Sequence, residues 1–338
     1  MSLERGLALI MTSTSIQEPA ATATTAQSLL PVVIETLLCS DSFDFDLFIQ
    51  SPGKSTPVLY KARKVPLHRS DLEALLASGV DTLYIPADGL EEYQDHLRNN
   101  VLANKAVSPK TCIAALREVN RAVFLNAMNH GPIEKVVDVA GSLGNDFSGL
   151  VMAHEDTAQD LFSILKHDYS TYTHVTNVCI YAVMLAKHLS IQNTAELAAI
   201  ATGALLHDIG KRKVSTNILN KQARLTDHEM RLIKQHPHTG FLDLAHRTDL
   251  KWSQLMMVFQ HHERVDGRGY PVQIAGDEID PWARICSIAD VFDALTGSRT
   301  YHAPETVAKT MQYFSENAGK AFDPEMVACW FQSVLPTE

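Results

Sequence analysis

The sequence predicts a mainly α protein: a C-terminal helical bundle, a small N-terminal α+β domain and a helical connector between them. Three observations predict it. From about residue 150 onward, apolar residues recur at helical spacing in run after run, with capping residues between the runs. Residues 43–85 instead show short alternating stretches parted by turn residues. Between these regions, Ser108-Pro109 opens a long helical period.

Composition bounds the function. The 338 residues suffice for two domains, and 46% hydrophobic with 20% charged residues describes a globular chain. No apolar run approaches the ~20 residues a membrane span needs. The start, Leu7-Ala8-Leu9-Ile10-Met11, is too short and too weakly basic for a signal peptide, so the cytoplasm is the expected location. Five scattered cysteines with no CxxC pair predict neither a disulfide frame nor a thiolate zinc site. A net charge of −10 argues against general nucleic-acid binding, so an anionic ligand needs locally positive groups.

Residues 1–28, rich in Ala, Thr and Ser, read as a disordered arm. Residues 29–105 form the α+β domain. Phe43, Phe45, Leu47 and Ile49 alternate with Asp44 and Asp46 as a strand, Pro52-Gly53-Lys54-Ser55 turns, and 58–65 returns as a second strand. Ser70 with Glu73 reads as a capping box, Leu72, Leu75 and Leu76 give the helix a face, and Gly79 stops it before a strand over 80–85. The order is β-β-α-β, with His68 and His96 expected at the surface and no cluster of catalytic residue types. A sensory or interaction role, with signalling proteins as partners, fits this domain.

Residues 106–150 form the connector, with Leu116, Val119, Val123 and Ala127 at helical spacing before Gly131-Pro132. A homodimer through this helix is one reading; packing on its own domain is the other. Further helix from 133 to 165 is expected to be interrupted near Gly141, Gly144 and Gly149.

Polar residues gather in 151–338. His174 opens a stripe with Val178, Tyr181, Ala182 and Leu185. Leu197, Ile200, Ala201 and Ala204 lead at helical spacing onto His207-Asp208 and Lys211. Thr226 and Glu229 cap a helix expected to carry His236 before Pro237. His261-His262 ends the apolar run 255–259, and Asp290 lies in an apolar stretch from Ile285. A single His–Asp pair reads equally well as a buried hydrogen bond. Five histidines and two aspartates on five helical elements are hard to satisfy as core residues, because unpaired buried charge is costly.

The order His174, His207-Asp208, Asp290 resembles the H…HD…D pattern of the HD phosphohydrolases. His261-His262-Glu263-Arg264-Val265-Asp266-Gly267-Arg268-Gly269-Tyr270-Pro271, and 289–301 from Ala289 to Tyr301, are similar to the signatures of the HD-GYP branch. The resemblance covers about residues 160 to 315. It implies an HD-type helical domain and a metal-dependent phosphodiesterase that cleaves the bacterial messenger cyclic di-GMP to linear pGpG, and on to GMP in some cases. Carried over by position, it makes His174, His207, Asp208, His236, His261, His262 and Asp290 the metal ligands, with Asp208 bridging. His207, Asp208 and Lys211 become the catalytic set. Lys211, Asp293, Arg299, Tyr270, Gly269, Pro271 and Asp266 become the substrate contacts.

Phosphodiester hydrolysis needs a strong nucleophile at neutral pH and charge compensation on phosphorus. A hydroxide shared by two metals ~3.5–4 Å apart supplies both. Imidazole and carboxylate ligation without thiolate favours iron or manganese, with zinc and nickel as alternatives. Two divalent ions are expected, because Ser170 stands one turn before His174 where three-metal relatives carry a glutamate. Val214-Ser215 and Gln222-Ala223 depart from the family pattern, and His302 replaces a basic residue beyond Arg299, which weakens the grip on a second phosphate. Hydrolysis of 3',3'-cyclic GMP-AMP, or a non-enzymatic dinucleotide receptor, remain alternatives.

Overall fold

The computed structural model describes residues 29–50, 57–102, 104–153, 171–219, 221, 223–297 and 304–334. The arm expected over 1–28 lies outside them. The chain divides into two compact units, Met1–Val119 and Asn120–Glu338, whereas the sequence reading starts its last domain at 151.

In the first unit, strands β1 (Leu29–Val33), β2 (Leu47–Ile49), β3 (Val58–Lys61) and β4 (Thr82–Pro86) form one antiparallel sheet in the order β1-β4-β2-β3. The sequence reading lacks β1, whose middle residue is Pro31. Proline cannot donate to a ladder, but β1 is an edge strand bonded to β4 alone, where that donor is not needed. Leu30 and Val32 then alternate inward to the core with Leu47, Ile49, Leu83 and Ile85.

Helices α1 (Ile34–Leu37), α2 (Arg69–Ala77) and α3 (Leu90–His96) complete the unit. The cap of α2 lies two residues before the expected Ser70: the His68 backbone N–H donates to Asp71 at 3.3 Å, while Glu73 pairs with Arg69 at 2.8 Å. Gly79 ends the turn at φ +85°, as expected. His96 is buried, contrary to expectation. Its Nε2–H donates to the Thr36 carbonyl at 2.9 Å, its ring meets Phe43 edge-on, and burial lowers its pKa.

Helix α4 (Pro109–His130) starts as its sequence dictates, with the Thr111 N–H donating to Ser108 Oγ at 3.1 Å, and the division between the units falls within it. The second unit contains α5 (Ile133–Ala153), α6 (Thr171–His188), α7 (Thr194–Leu206), α8 (Thr216–Leu219), α9 (Asp227–Ile233), α10 (His236–Leu244), α11 (Trp252–Gln260), α12 (Pro281–Thr296), α13 (Val307–Asn317) and α14 (Pro324–Val334).

Helix α7 is the hub, with every residue from Ile200 to Leu206 buried and α5, α6 and α11 packed around it. Fully buried side chains such as Ile200 and Leu205 each contribute about 1.5–3 kcal/mol. Helix α5 runs unbroken through Gly141, Gly144 and Gly149, where interruption was expected. At Gly144 the reason is close packing: a Cβ there would lie 2.9 Å from the Thr202 backbone nitrogen and 3.0 Å from the Ala198 carbonyl of α7.

Helices α12 and α14 pack on α6 through Tyr181, Phe292 and Trp330, whose rings lie 5.0 to 5.8 Å apart. All five cysteines are free, and no helix among the described residues is long and apolar enough to cross a membrane.

Candidate metal centre

Helix α7 closes at Leu206, so His207 and Asp208 are the first residues past its buried end. His207 takes the cap position, and Asp208 leaves helical geometry at φ −96°, ψ 10° before a 3-10 turn over Ile209–Lys213. Lys211 in that turn places Nζ 2.5 Å from Asp208 Oδ2. Gly210 lets the start of α10 reach this turn, since a Cβ on it would collide with the His236 carbonyl oxygen.

The capping box of Thr226 and Glu229 forms as expected, with backbone-to-side-chain bonds of 2.7 and 3.2 Å. The single helix expected to run on to His236 does not form. It breaks after Ile233, because Pro237 has no N–H to return to the Ile233 carbonyl. That carbonyl instead accepts from His236 Nδ1 at 2.8 Å, which orients the ring.

The same device recurs. His207 Nδ1–H donates to the Ala204 carbonyl at 2.6 Å, and His261 Nδ1–H to those of Met257 and Val258 at 3.0 and 3.1 Å. His174 Nδ1–H donates to Asp293 Oδ2 at 2.7 Å, and Asn177 Nδ2 holds the other Asp293 oxygen at 2.5 Å. Each bond commits a ring to the tautomer that carries its proton on Nδ1 and aims a bare Nε2 inward.

These nitrogens converge on two carboxylates. Asp208 Oδ1 lies 3.2 Å from His236 Nε2, while its Oδ2 lies 3.4 Å from His207 Nε2 and 3.6 Å from His174 Nε2. Asp290 Oδ1 is 3.2 Å from His174 Nε2, and its Oδ2 is 3.9 Å from His262 Nδ1. Three sets of ligand-capable atoms each fit within 4.8 Å: His236/His261/His262, His174/His207/Asp208 and His207/His261/Asp290.

The donor set is that of a divalent cation site. His207 Nε2 is buried without a hydrogen bond. His236 and His261 bring two Nε2 atoms to 3.2 Å, where both are acceptors and repel. A cation among them satisfies every one of these atoms, and the two oxygens of Asp208 face a group on either side.

The protonation states agree. Burial pushes the Asp208 carboxyl up, but the Lys211 ammonium and the His207 and His174 rings hold it well below the usual carboxylate range. Asp290 behaves alike through His174. Burial, with the neighbouring rings, pushes His261 well down and His262 to about 3. Neutral imidazoles and ionised carboxylates are the forms that ligate metal.

All seven expected ligands therefore meet in one place. The expected substrate contacts fare differently. Asp293 is 1% exposed with both oxygens engaged by His174 and Asn177, so it faces a ring and not an open site. Asp266 forms a fork with Arg264 at 2.8 and 3.0 Å, which lowers its carboxyl to about 2 and shapes its own loop. Tyr270 stacks on His262 with ring centroids 4.6 Å apart, next to a cis bond to Pro271, and Gly269 packs its backbone against Glu263. Arg299 and His302 lie outside the described residues.

Two residues with clear roles were not singled out from sequence. Asn177 holds Asp293. Glu263 is 2% exposed and accepts the backbone N–H groups of Val272 at 2.6 Å and Gln273 at 3.0 Å, tying both ends of the Gly-Tyr-Pro loop together. Its place directly after two histidines was the available signal.

Residues 160–326 match the family model described as an HD domain. The chain is 33% identical over 216 residues to the cyclic di-GMP phosphodiesterase PA4108 of Pseudomonas aeruginosa, covering 63% of this chain and 52% of that protein. It is 38% identical over 173 residues to 3'3'-cGAMP-specific phosphodiesterase 3 of Vibrio cholerae, covering 50% and 37%. With the cyclic di-GMP phosphodiesterase response regulator RpfG of Xanthomonas campestris it shares 36% identity over 148 residues, covering 43% and 39%. The chain thus spans between about a third and a half of the length of these relatives. Among solved structures, Bd1817, an HDG"Y"P protein from Bdellovibrio bacteriovorus, has the same fold, with a TM-score of 0.60 at 18% identity over 90% of this chain and 99% of that one.

Proposed function

This chain belongs to the HD-GYP family, and from that premise we propose that it is a metal-dependent phosphodiesterase that opens cyclic di-GMP to linear pGpG. One observation carries the reading: four imidazoles have Nδ1 tied off, and three of them, His174, His207 and His236, bring Nε2 within 3.6 Å of an Asp208 oxygen while His261 Nε2 lies 3.2 Å from that of His236. His174, His207 and Asp290 would serve one ion, His236, His261 and His262 a second, with Asp208 between them. Iron or manganese suits these ligands. Divalent ions, when bound, supply a water-derived nucleophile at neutral pH and offset charge on the phosphate.

The remaining work falls to side chains. Asp293 and Asn177 fix the His174 ring so that its Nε2 cannot turn away. Lys211, one side of the Asp208 carboxylate, offers a cation to a phosphate oxygen, and Arg299 would offer a second. Tyr270, stacked on His262, would cover that ligand ring and limit water on its side of the site. The intact ligand set favours an enzyme over a receptor, which has no need of seven ligands. The 38% identity to a 3'3'-cGAMP-specific relative supports a hybrid dinucleotide as second substrate.

The experiment is to load anaerobically purified protein with manganese or iron, incubate it with cyclic di-GMP, cyclic di-AMP and 3',3'-cyclic GMP-AMP, and identify the products by mass. Linear pGpG from cyclic di-GMP is expected. No cleavage of any of the three by fully metallated protein would remove the proposal.

A further inference from the structure

The substrate class proposed above carries two phosphates, and the metal ions, with Lys211 and Arg299 in the roles given above, attend to the one being cleaved. We infer that Lys234 binds the other phosphate. This inference rests on the cyclic dinucleotide reading.

Lys234 caps the C-terminal end of α9, two residues before the ligand His236, and is exposed. Its Nζ sits over the ring of Tyr270, 5.0 Å from the centroid, and Tyr270 in turn stacks on His262. A short chain of contacts thus runs from the candidate metal centre outward: His262, the Tyr270 ring, then the Lys234 ammonium at the mouth.

Electrostatics explain why a cation should wait there. The chain carries a net charge of −10, and this site adds the buried carboxylates Asp208, Asp290, Asp293 and Glu263. A dianionic substrate meets that field unless the mouth is locally positive. Lys211 is taken up by the phosphate being cleaved, and other cations of these segments are committed, Lys221 to Glu229 at 2.7 Å and Arg264 to Asp266 at 2.8 Å. Lys234 makes no ion pair among the described residues. An aromatic face holds an ammonium by its quadrupole, which is a weaker partner than a full anion, so an arriving phosphate oxygen takes the ammonium over. The ring keeps the side chain near the mouth until then.

The test compares Lys234→Gln and Lys234→Arg with wild-type holoenzyme on two substrates: cyclic di-GMP, with two phosphates, and bis(p-nitrophenyl) phosphate, with one. A charge-assisted contact at an exposed mouth is worth roughly tenfold. The expected result is that Lys234→Gln lowers the ratio of kcat/KM for cyclic di-GMP to kcat/KM for the one-phosphate ester about tenfold, through KM, and that Lys234→Arg restores most of it. Binding of a fluorescent cyclic di-GMP, read by anisotropy, should weaken about tenfold in Lys234→Gln and lose part of its salt dependence. A ratio and a Kd within twofold of wild type would overturn the inference while leaving the phosphodiesterase reading intact. Wild-type protein that cleaves the ester but neither binds nor cleaves any cyclic dinucleotide would overturn both.

Discussion

Asp293→Ala separates two roles for one buried carboxylate. If Asp293 orients His174, its loss frees the Nδ1 proton now held at 2.7 Å and strands the Asn177 amide now held at 2.5 Å. Outer partners of ligating histidines are worth roughly 10- to 100-fold in metal affinity, or about 1.4–2.8 kcal/mol. Stranding two donors in a site 1% exposed costs about 1–3 kcal/mol of stability for each one that water cannot reach. Both losses should be visible. A chelator-competition titration reads metal affinity, and urea unfolding of the metal-depleted protein reads stability. Asp293→Asn, which keeps one acceptor for His174, should recover most of the stability and part of the affinity. If Asp293→Ala bound metal within twofold of wild type and raised only KM, Asp293 would be a substrate contact, as its sequence position first suggested.

Three further outcomes follow from the packing and the site. Lys211→Ala should lose roughly 10- to 100-fold in kcat/KM while keeping its metal, because a charge-assisted contact is lost and no ligand is; metal analysis showing an emptied site would contradict that. Gly144→Ala should destabilise the protein by about 1–3 kcal/mol in urea, since crowding against the α7 backbone outweighs the ~1 kcal/mol that alanine gains in an open helix; a more stable variant would refute the close approach. A chain starting at 120 should fold, bind metal and retain phosphodiesterase activity, whereas one starting at 151 removes α5 and should fold poorly, by circular dichroism and gel filtration; equal behaviour of the two would contradict the role of α5.

The ligands were legible because they lie in runs. His207-Asp208 and His261-His262 are adjacent pairs at helix ends, and the helical period placed His174 and Asp290 on inward faces. What was not legible depends on contacts across the chain. Asp293 reaches His174 over 119 positions, and nothing local to either shows that Asp293 is already spoken for. Glu263 binds the loop ten residues on through its carboxylate, a role set by backbone N–H groups that no spacing rule displays. Local signals also misled where tertiary structure overrode them. Three glycines read as breaks in α5, yet one of them is needed for contact with α7. His236 read as the end of a helix stopped by Pro237, yet both residues open the next helix.

Anomalous diffraction at the edge of the loaded metal, on crystals of the full chain, bears on the metal centre with the fewest intermediate steps. Two peaks are expected, one on each side of the Asp208 carboxylate, the first among His174, His207 and Asp290 and the second among His236, His261 and His262. A single peak bound by one oxygen of Asp208, or three fully occupied peaks within the cluster, would contradict a two-ion centre bridged by that carboxylate.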